Sequence, residues 1–272
     1  MAALLSISEL TTYRWSFEED VAQFKQAGYG AVGVWRQKLS EYGEERGIEL
    51  LAESGLKVSN LLWCGGFTGS DGRSFREGLD DALEAVVLAA QLKAGCLIVY
   101  TGSRGGHTHN HARRMIREAL GELLPVARAR GVVLAVEPMH PDACCGRTFL
   151  NNIPETLDLI GTFGDPMLKL AYDTYHLGLS DNWRADLAAA VPHIAIVHLG
   201  DGRPPVDREQ VRTRLGEGII PLHDMLGELS KAGYAGYHDV ELMGIGLEPE
   251  HYPDLLRHSR QAFAGLCGSA AQ

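Results

Sequence analysis

Four residues late in the chain carry side chains that could share a metal ion, and each follows a mainly apolar run. VVLAV precedes Glu137, LKLAY precedes Asp173, IAIV precedes His198 and YHDV precedes Glu241. A charged side chain in such a position is costly to desolvate unless it has a partner. The sequence therefore predicts a common partner for three carboxylates and one imidazole.

The elements that must position these residues alternate along the whole chain. The predicted strands cover residues 3–8, 31–35, 57–63, 96–102, 132–138, 168–176, 193–201 and 236–243. The predicted helices cover residues 17–27, 42–54, 75–92, 110–130, 154–162, 184–190, 222–232 and 252–265. Such alternation implies a parallel sheet, and eight units close naturally into a (β/α)8 TIM barrel. An open doubly wound sheet is the competing fold, but no GxGxxG follows the first strand. With no linker or composition shift, residues 1–272 are expected to form a single domain.

A closed barrel would bring the four side chains together, because the carboxyl ends of its strands lie on one face. Three carboxylates in one pocket would repel one another, and a divalent cation removes that repulsion. Oxygen ligands with one imidazole suit Mn²⁺, Mg²⁺ or Co²⁺ better than a thiol-bound structural Zn²⁺. We therefore expect a single metal ion held by Glu137, Asp173, His198 and Glu241. Mn²⁺ is the preferred ion, with Mg²⁺, Co²⁺ and Zn²⁺ as alternatives. Each residue taken alone could equally cap a helix or pair with an arginine.

Four motifs resemble those of the xylose-isomerase-like TIM barrel superfamily. They are VEP at 136–138, YDTYHLG at 172–178, VHLGD at 197–201 and DVEL at 239–242. Within the superfamily the chain resembles the sugar phosphate isomerase/epimerase group and the ketose 3-epimerases, and the resemblance extends to the inosose dehydratases. The resemblance spans nearly the whole chain, and it specifies the superfamily more closely than the substrate.

The resemblance implies roles for individual residues. Glu137 and Glu241 would bind the metal and also act as the two acid/base groups, while Asp173 and His198 would be metal ligands. His176 would touch the substrate. An arginine shortly after His198 would bind a substrate oxygen; Arg203 is the nearest and Arg208 the alternative.

The sequence departs from the ketose 3-epimerases just after Glu137. Those enzymes place a further substrate-binding Glu there, whereas this chain has MHPDACCGR at 139–147, with Asp142 but no Glu. The way in which the substrate is held on that side is therefore expected to differ.

Two further side chains are predicted to line the pocket. Trp63, at the end of the third strand, could stack on a sugar ring or belong to the core. His107 opens the segment HTHNH at 107–111, whose His107, His109 and His111 could form a second metal site or merely lead into a helix.

The composition of the chain indicates which classes of binding partner are expected. The 272 residues are 45% hydrophobic, and the formal net charge of −10 opposes binding to a nucleic-acid backbone. No signal peptide or membrane segment is recognisable, and the five cysteines have no CxxC spacing, so a cytoplasmic protein with reduced thiols is expected. Homo-oligomers are expected only by analogy with the relatives.

These features together favour a divalent-metal-dependent isomerase or epimerase of a sugar or keto-polyol. Proton abstraction next to a carbonyl would give an enediolate. The same chemistry also allows a lyase or dehydratase acting on an inosose or a 3-keto-sugar. A non-catalytic carbohydrate-binding barrel is a weaker alternative. An abasic-site endonuclease is weaker still, because the third strand ends in Trp63 and Cys64 rather than in a histidine.

Overall fold

Eight parallel strands form a closed barrel, as the alternation of strands and helices predicts. The computed structural model describes residues 3–206, 208–244 and 251–269. Strands β1 to β7 are Leu4–Ser8, Ala31–Trp35, Lys57–Gly65, Leu97–Tyr100, Leu134–Val136, Leu168–Asp173 and Ile194–Leu199. Strands β8 (Asp201–Gly202) and β9 (Arg212–Thr213) form a separate antiparallel pair, and β10 (Tyr237–Val240) closes the barrel between β7 and β1.

Helices follow the strands and cover the outside of the barrel. They are α1 (Phe17–Gln26), α2 (Arg36–Tyr42), α3 (Glu44–Ser54), α4 (Phe75–Gln91), α5 (His109–Arg130), α6 (Ile153–Phe163), α7 (Thr174–Leu177), α8 (Trp183–Ala190), α9 (Leu222–Lys231) and α10 (Tyr252–Ser269). A short 3₁₀ helix, Val191–His193, leads into β7. Side-chain caps define several starts; Ser74 and Glu77, for example, form a reciprocal capping box at α4.

Three details differ from the predicted elements. The predicted strand 168–176 ends at Asp173, because its last residues form the one-turn helix α7. The predicted helix 42–54 is preceded by a separate helix, α2, which follows β2 directly. The β8–β9 pair was not predicted, and it folds part of the charged segment 202–214 back towards the barrel.

The two faces of each barrel strand have different surroundings. On β4, Leu97 and Val99 pack in the larger core under the helices, while Ile98 and Tyr100 pack inside the barrel. Ala135, Ala171 and Ile196 share that interior cluster. Because successive side chains of a strand alternate between its faces, the residues two positions further along also point inward. This periodicity directs the acidic and imidazole residues at the strand ends into the mouth of the barrel.

Two global features concern the cysteines and the apolar helices. All five cysteines are free. Among the described residues, no helix combines the length and apolarity that crossing a bilayer would require.

Candidate metal centre at the barrel mouth

Backbone pairing at the carboxyl end of the barrel sets the positions of the four predicted ligands. Asp173 is the last residue of β6 and is in register with His198 on β7. Glu137 and Glu241 each follow the last residue of their strand, but their N–H groups still bond to the neighbouring strand, at Val99 and Leu199 respectively. All four residues are therefore held by barrel backbone and not by free loops.

The structure brings all four predicted ligands together. Ligand atoms of Glu137, Asp173 and His198 lie within 4.8 Å of one another, and this is the only such metal-ligating group among the described residues. Glu241 adjoins this group, because its Oε2 is 3.6 Å from Nδ1 of His198. Nδ1 of His198 is also 3.4 Å from Oε1 of Glu137. Each of the four side chains is at most 5% exposed.

Several atoms of this cluster have unused bonding capacity. Oε2 of Glu137, Oε2 of Glu241 and Nε2 of His198 are buried and have no hydrogen-bond partner among the described residues. Buried polar atoms are normally paired, and an unpaired one costs about 1–3 kcal/mol. Carboxylate oxygens with one imidazole nitrogen form a donor set that suits Mn²⁺, Mg²⁺, Co²⁺ or Zn²⁺. The residues present therefore fit a divalent cation.

Arg212 is a member of the cluster that sequence reasoning missed. Its Nη2 lies 2.9 Å from Oδ2 of Asp173 and 3.0 Å from Oε1 of Glu241, and its Nη1 donates to the Glu241 carbonyl at 2.9 Å. It reaches the site because β9 pairs with β8, which places Arg212 opposite Gly202. Gly200 leaves the necessary space, since a Cβ there would lie 2.6 Å from Nη1 of Arg212.

The charges of the cluster do not cancel. Burial raises the pKa of Glu137, and the neighbouring His198 only partly opposes this. Burial also acts on Asp173, but Arg212, His176 and His198 outweigh it and lower the pKa of that carboxyl. Burial disfavours the charged form of His198, yet the nearby carboxylates Glu137 and Glu241 raise its pKa to about 10. Three carboxylates face Arg212 and the His198 ring, which leaves a net negative pocket that attracts a cation.

His176 sits beside the cluster as a neutral imidazole. Burial lowers its pKa to about 3, and its Nε2 is 3.9 Å from Oδ2 of Asp173. Its Nδ1 has no hydrogen-bond partner among the described residues. The ring can therefore exchange a hydrogen bond with a bound molecule without changing the charge of the pocket.

Trp63, another residue predicted to bind substrate, lies on an aromatic wall. It is half-buried between Trp35, whose ring stacks 6.4 Å away, and Tyr100, whose ring is 5.1 Å away. Tyr100 is a second residue that sequence reasoning missed, and it joins this wall to the cluster. Burial raises the pKa of its hydroxyl, and the negative charges of Glu137 and Glu241 add to the effect.

The two arginines considered from the sequence lie elsewhere. Arg203 is exposed and donates through Nη2 to the carbonyl of Glu217. Arg208 is also exposed, and its carbonyl accepts a contact from the Cys145 thiol. Arg212 is the arginine that the structure brings to the carboxylates, so a role of Arg203 in substrate binding stays a prediction.

The three histidines after β4 do not converge on one point. His107 is half-buried and its ring lies 4.7 Å from that of His111. His109 instead pairs with Glu155 at 2.6 Å, and Nδ1 of His111 contacts Arg114 at 2.8 Å. This arrangement favours a polar entry into α5, while contact between His107 and a substrate stays a prediction.

Solved structures share this fold over almost their whole length. Protein SMc04130 from Sinorhizobium meliloti 1021 is 28% identical, with a TM-score of 0.88 and coverage of 97% of this chain and 98% of the other. The IOLI protein, solved with a zinc atom, is 20% identical, with a TM-score of 0.82 and 98% of both chains covered. An L-ribulose 3-epimerase is 19% identical, with a TM-score of 0.80 and 99% and 96% covered.

Comparison with models of protein families identifies the family of the chain. A search among curated protein sequences found no significant match. The sequence model of the family described as "Xylose isomerase-like TIM barrel" matches residues 21–262, which is most of the chain. Together with the closed eight-stranded barrel, this match shows that the chain belongs to the xylose isomerase-like TIM barrel family.

Proposed function

We propose that this protein is a divalent-metal-dependent isomerase or epimerase of a sugar or keto-polyol. The observation that carries the proposal is the convergence of Glu137, Asp173, His198 and Glu241 with unpaired oxygen and nitrogen atoms. The likeness to an L-ribulose 3-epimerase, and to a protein solved with zinc, adds support.

These four residues would hold the cation. When bound, the cation would act as a Lewis acid that polarises the substrate carbonyl and acidifies the neighbouring C–H.

Proton transfer would then fall to the two glutamates. Glu137 would accept the proton from the carbon next to the carbonyl, because the cation would acidify that C–H bond. Glu241 would return a proton to the opposite side of the resulting enediolate, which inverts that carbon. General acid–base catalysis of this kind contributes about 10²–10⁴-fold to rate.

The other polar residues would orient the substrate and the catalytic carboxylates. Arg212 holds Asp173 and Glu241 through one guanidinium, so that neither carboxylate swings away. Neutral His176 would bond a substrate hydroxyl through its unpaired Nδ1. Trp63 would offer its face to the apolar side of the carbon chain.

Solvent-exchange experiments test this proposal. A panel of ketoses incubated in D₂O with protein and Mn²⁺ is expected to gain deuterium next to the carbonyl, and apart from that label the product should keep the composition of the substrate. Loss of the mass of water would instead identify the elimination chemistry of a dehydratase. Tight sugar binding without deuterium uptake across a broad panel would contradict catalysis and favour a binding protein. The expected cytoplasmic location and self-association belong to the same proposal, and sedimentation would measure the latter.

A further inference from the structure

Arg147 is held firmly at the mouth of the barrel by the backbone around it. Its carbonyl accepts from the N–H of Gly102 at 2.8 Å, and its own N–H donates to the Cys144 carbonyl at 2.7 Å. The next residue, Thr148, shares a 2.9 Å hydrogen bond with Thr101 just beyond β4. The loop after β5 therefore presents Arg147 from a fixed position.

The guanidinium of Arg147 is not neutralised by any carboxylate in the part of the chain that the structure describes. Among the described residues, no carboxylate lies within ion-pair distance of it, although it is half-buried. The neighbouring Arg73 is different, because it pairs with Asp71 at 2.7 Å and with Asp81 at 3.1 Å. Asp71 and Arg147 line the same 230 Å³ cavity, yet Asp71 is already bound to Arg73. Arg147 thus contributes an unpaired positive charge to that cavity.

The cavity opens beside the proposed catalytic cluster. Arg147 lies over the face of Trp63, with its Cζ 5.5 Å from the ring centre. Tyr100 lines the same cavity, and the pairing of Val99 with Val136 places Tyr100 next to Glu137 on the neighbouring strand. A molecule that lies along Trp63 would therefore have one end at the carboxylate cluster and the other at Arg147.

We propose that the substrate carries an anionic group, a phosphate or a carboxylate, which Arg147 binds at the end of the carbon chain remote from the reacting carbonyl. A guanidinium binds either anion through two parallel N–H donors. The inference rests on the proposed function, since it assigns the substrate class of the same site.

Binding measurements on the Mn²⁺-loaded protein test this inference. The probes are neutral D-fructose, D-fructose 1-phosphate, D-fructose 6-phosphate and the carboxylate 5-keto-D-gluconate, each titrated calorimetrically. At least one anionic ketose is expected to bind about ten- to a hundredfold more tightly than D-fructose, and whether it is a phosphate or the carboxylate identifies the group. Equal affinity for neutral and anionic ketoses would overturn the proposal, as would failure of every anionic probe to bind at 10 mM.

Variants separate Arg147 from general charge effects. Arg147→Met is expected to abolish the preference for the anionic ketose, and Arg147→Lys to restore part of it. Arg104→Met is the matched control, because Arg104 is exposed on the adjacent loop after β4 and does not line the cavity. A preference that survives Arg147→Met in a protein of unchanged melting temperature would contradict the assignment. Failure of the proposed function looks different, because anionic ketoses would still bind selectively but would take up no deuterium.

Discussion

Two buried carboxylates on the same face of β10 have opposite surroundings, although only one residue separates them. Asp239, deeper in the barrel, has both oxygens engaged, one by the hydroxyl of Ser6 and the other by Nδ2 of Asn60 at 2.8 Å. Glu241, at the mouth, keeps Oε2 without a hydrogen-bond partner among the described residues. Burial is therefore common to both carboxylates, and what distinguishes Glu241 is an oxygen with unused bonding capacity inside a cluster of like charges.

The difference arises from the side chains that surround each carboxylate. Asp239 lies in a lower layer of the barrel interior, whereas Glu241 lies in an upper layer at the barrel mouth. A Cβ at Gly33 would come within 2.9 Å of Nδ2 of Asn60, so a glycine is needed to let Asn60 and Asp239 meet. Ser6 from the neighbouring strand β1 and Asn60 from β3 thus complete the bonds of Asp239. At the mouth, strands β5, β6 and β7 contribute ionisable groups instead, and these repel or compete with one another.

The largest expected effect is a loss of turnover when a glutamate of the upper layer is replaced. Glu137→Gln or Glu241→Gln removes a proton-transfer group without changing side-chain size, so turnover should fall about 10²–10⁴-fold while the fold persists. Deuterium exchange into a ketose would measure the rate, and circular dichroism melting would check the fold. Wild-type rates in either variant would contradict the two-glutamate scheme.

Metal binding should depend on the carboxylates of the upper layer and not on Asp239 in the lower layer. Chelation is expected to silence the enzyme, and Mn²⁺ or Co²⁺ to restore it. Metal at about 100 times its dissociation constant should stabilise the protein by about 2.7 kcal/mol, because it binds the folded state. Melting curves with and without Mn²⁺ should show this shift in the wild type and in Asp239→Asn, but a much smaller one in Glu241→Gln. Full activity after exhaustive metal removal would exclude the Lewis-acid role.

Replacing Asp239 in the lower layer should mainly reduce the free energy of unfolding. Asp239→Ala leaves Ser6 and Asn60 without their buried acceptor, which should cost about 1–3 kcal/mol in the free energy of unfolding. Urea unfolding measures this cost. Activity per folded molecule should fall less than in Glu241→Gln. A variant as stable as the wild type, but inactive, would place Asp239 in the catalytic machinery and end the distinction between layers.

The smallest effect at neutral pH concerns the other face of β10, where His238 packs against Tyr234 and Phe263. Burial lowers its pKa from 6.5 to about 4. Between those values the unfolded chain binds the proton and the folded protein does not, so this contribution to stability is lost as pH falls. The slope reaches at most about 1.4 kcal/mol per pH unit. Urea unfolding of wild type and His238→Gln from pH 7 to pH 4 measures it; identical slopes would contradict the assignment to His238.

The fold and the convergence of the four polar side chains could be predicted because both follow from local patterns. Apolar runs gave the strands, and a polar residue at the end of a parallel strand is placed by the barrel itself. Arg212 could not be found in this way, because its position depends on the pairing of two-residue strands across a charged loop. The alternation of Val211, Arg212 and Thr213 was the only sequence signal, and it is too short to specify a strand. Tyr100 was missed because a tyrosine that ends an apolar strand is indistinguishable from core in sequence.

Anomalous diffraction at the manganese edge, from crystals of the protein grown with Mn²⁺, tests the metal centre most directly. One strong peak is expected at the barrel mouth, in contact with oxygens of Glu137, Asp173 and Glu241 and with the imidazole of His198, at roughly 2.0–2.3 Å. A fully occupied peak elsewhere, or no peak among these four side chains at saturating Mn²⁺, would contradict the account.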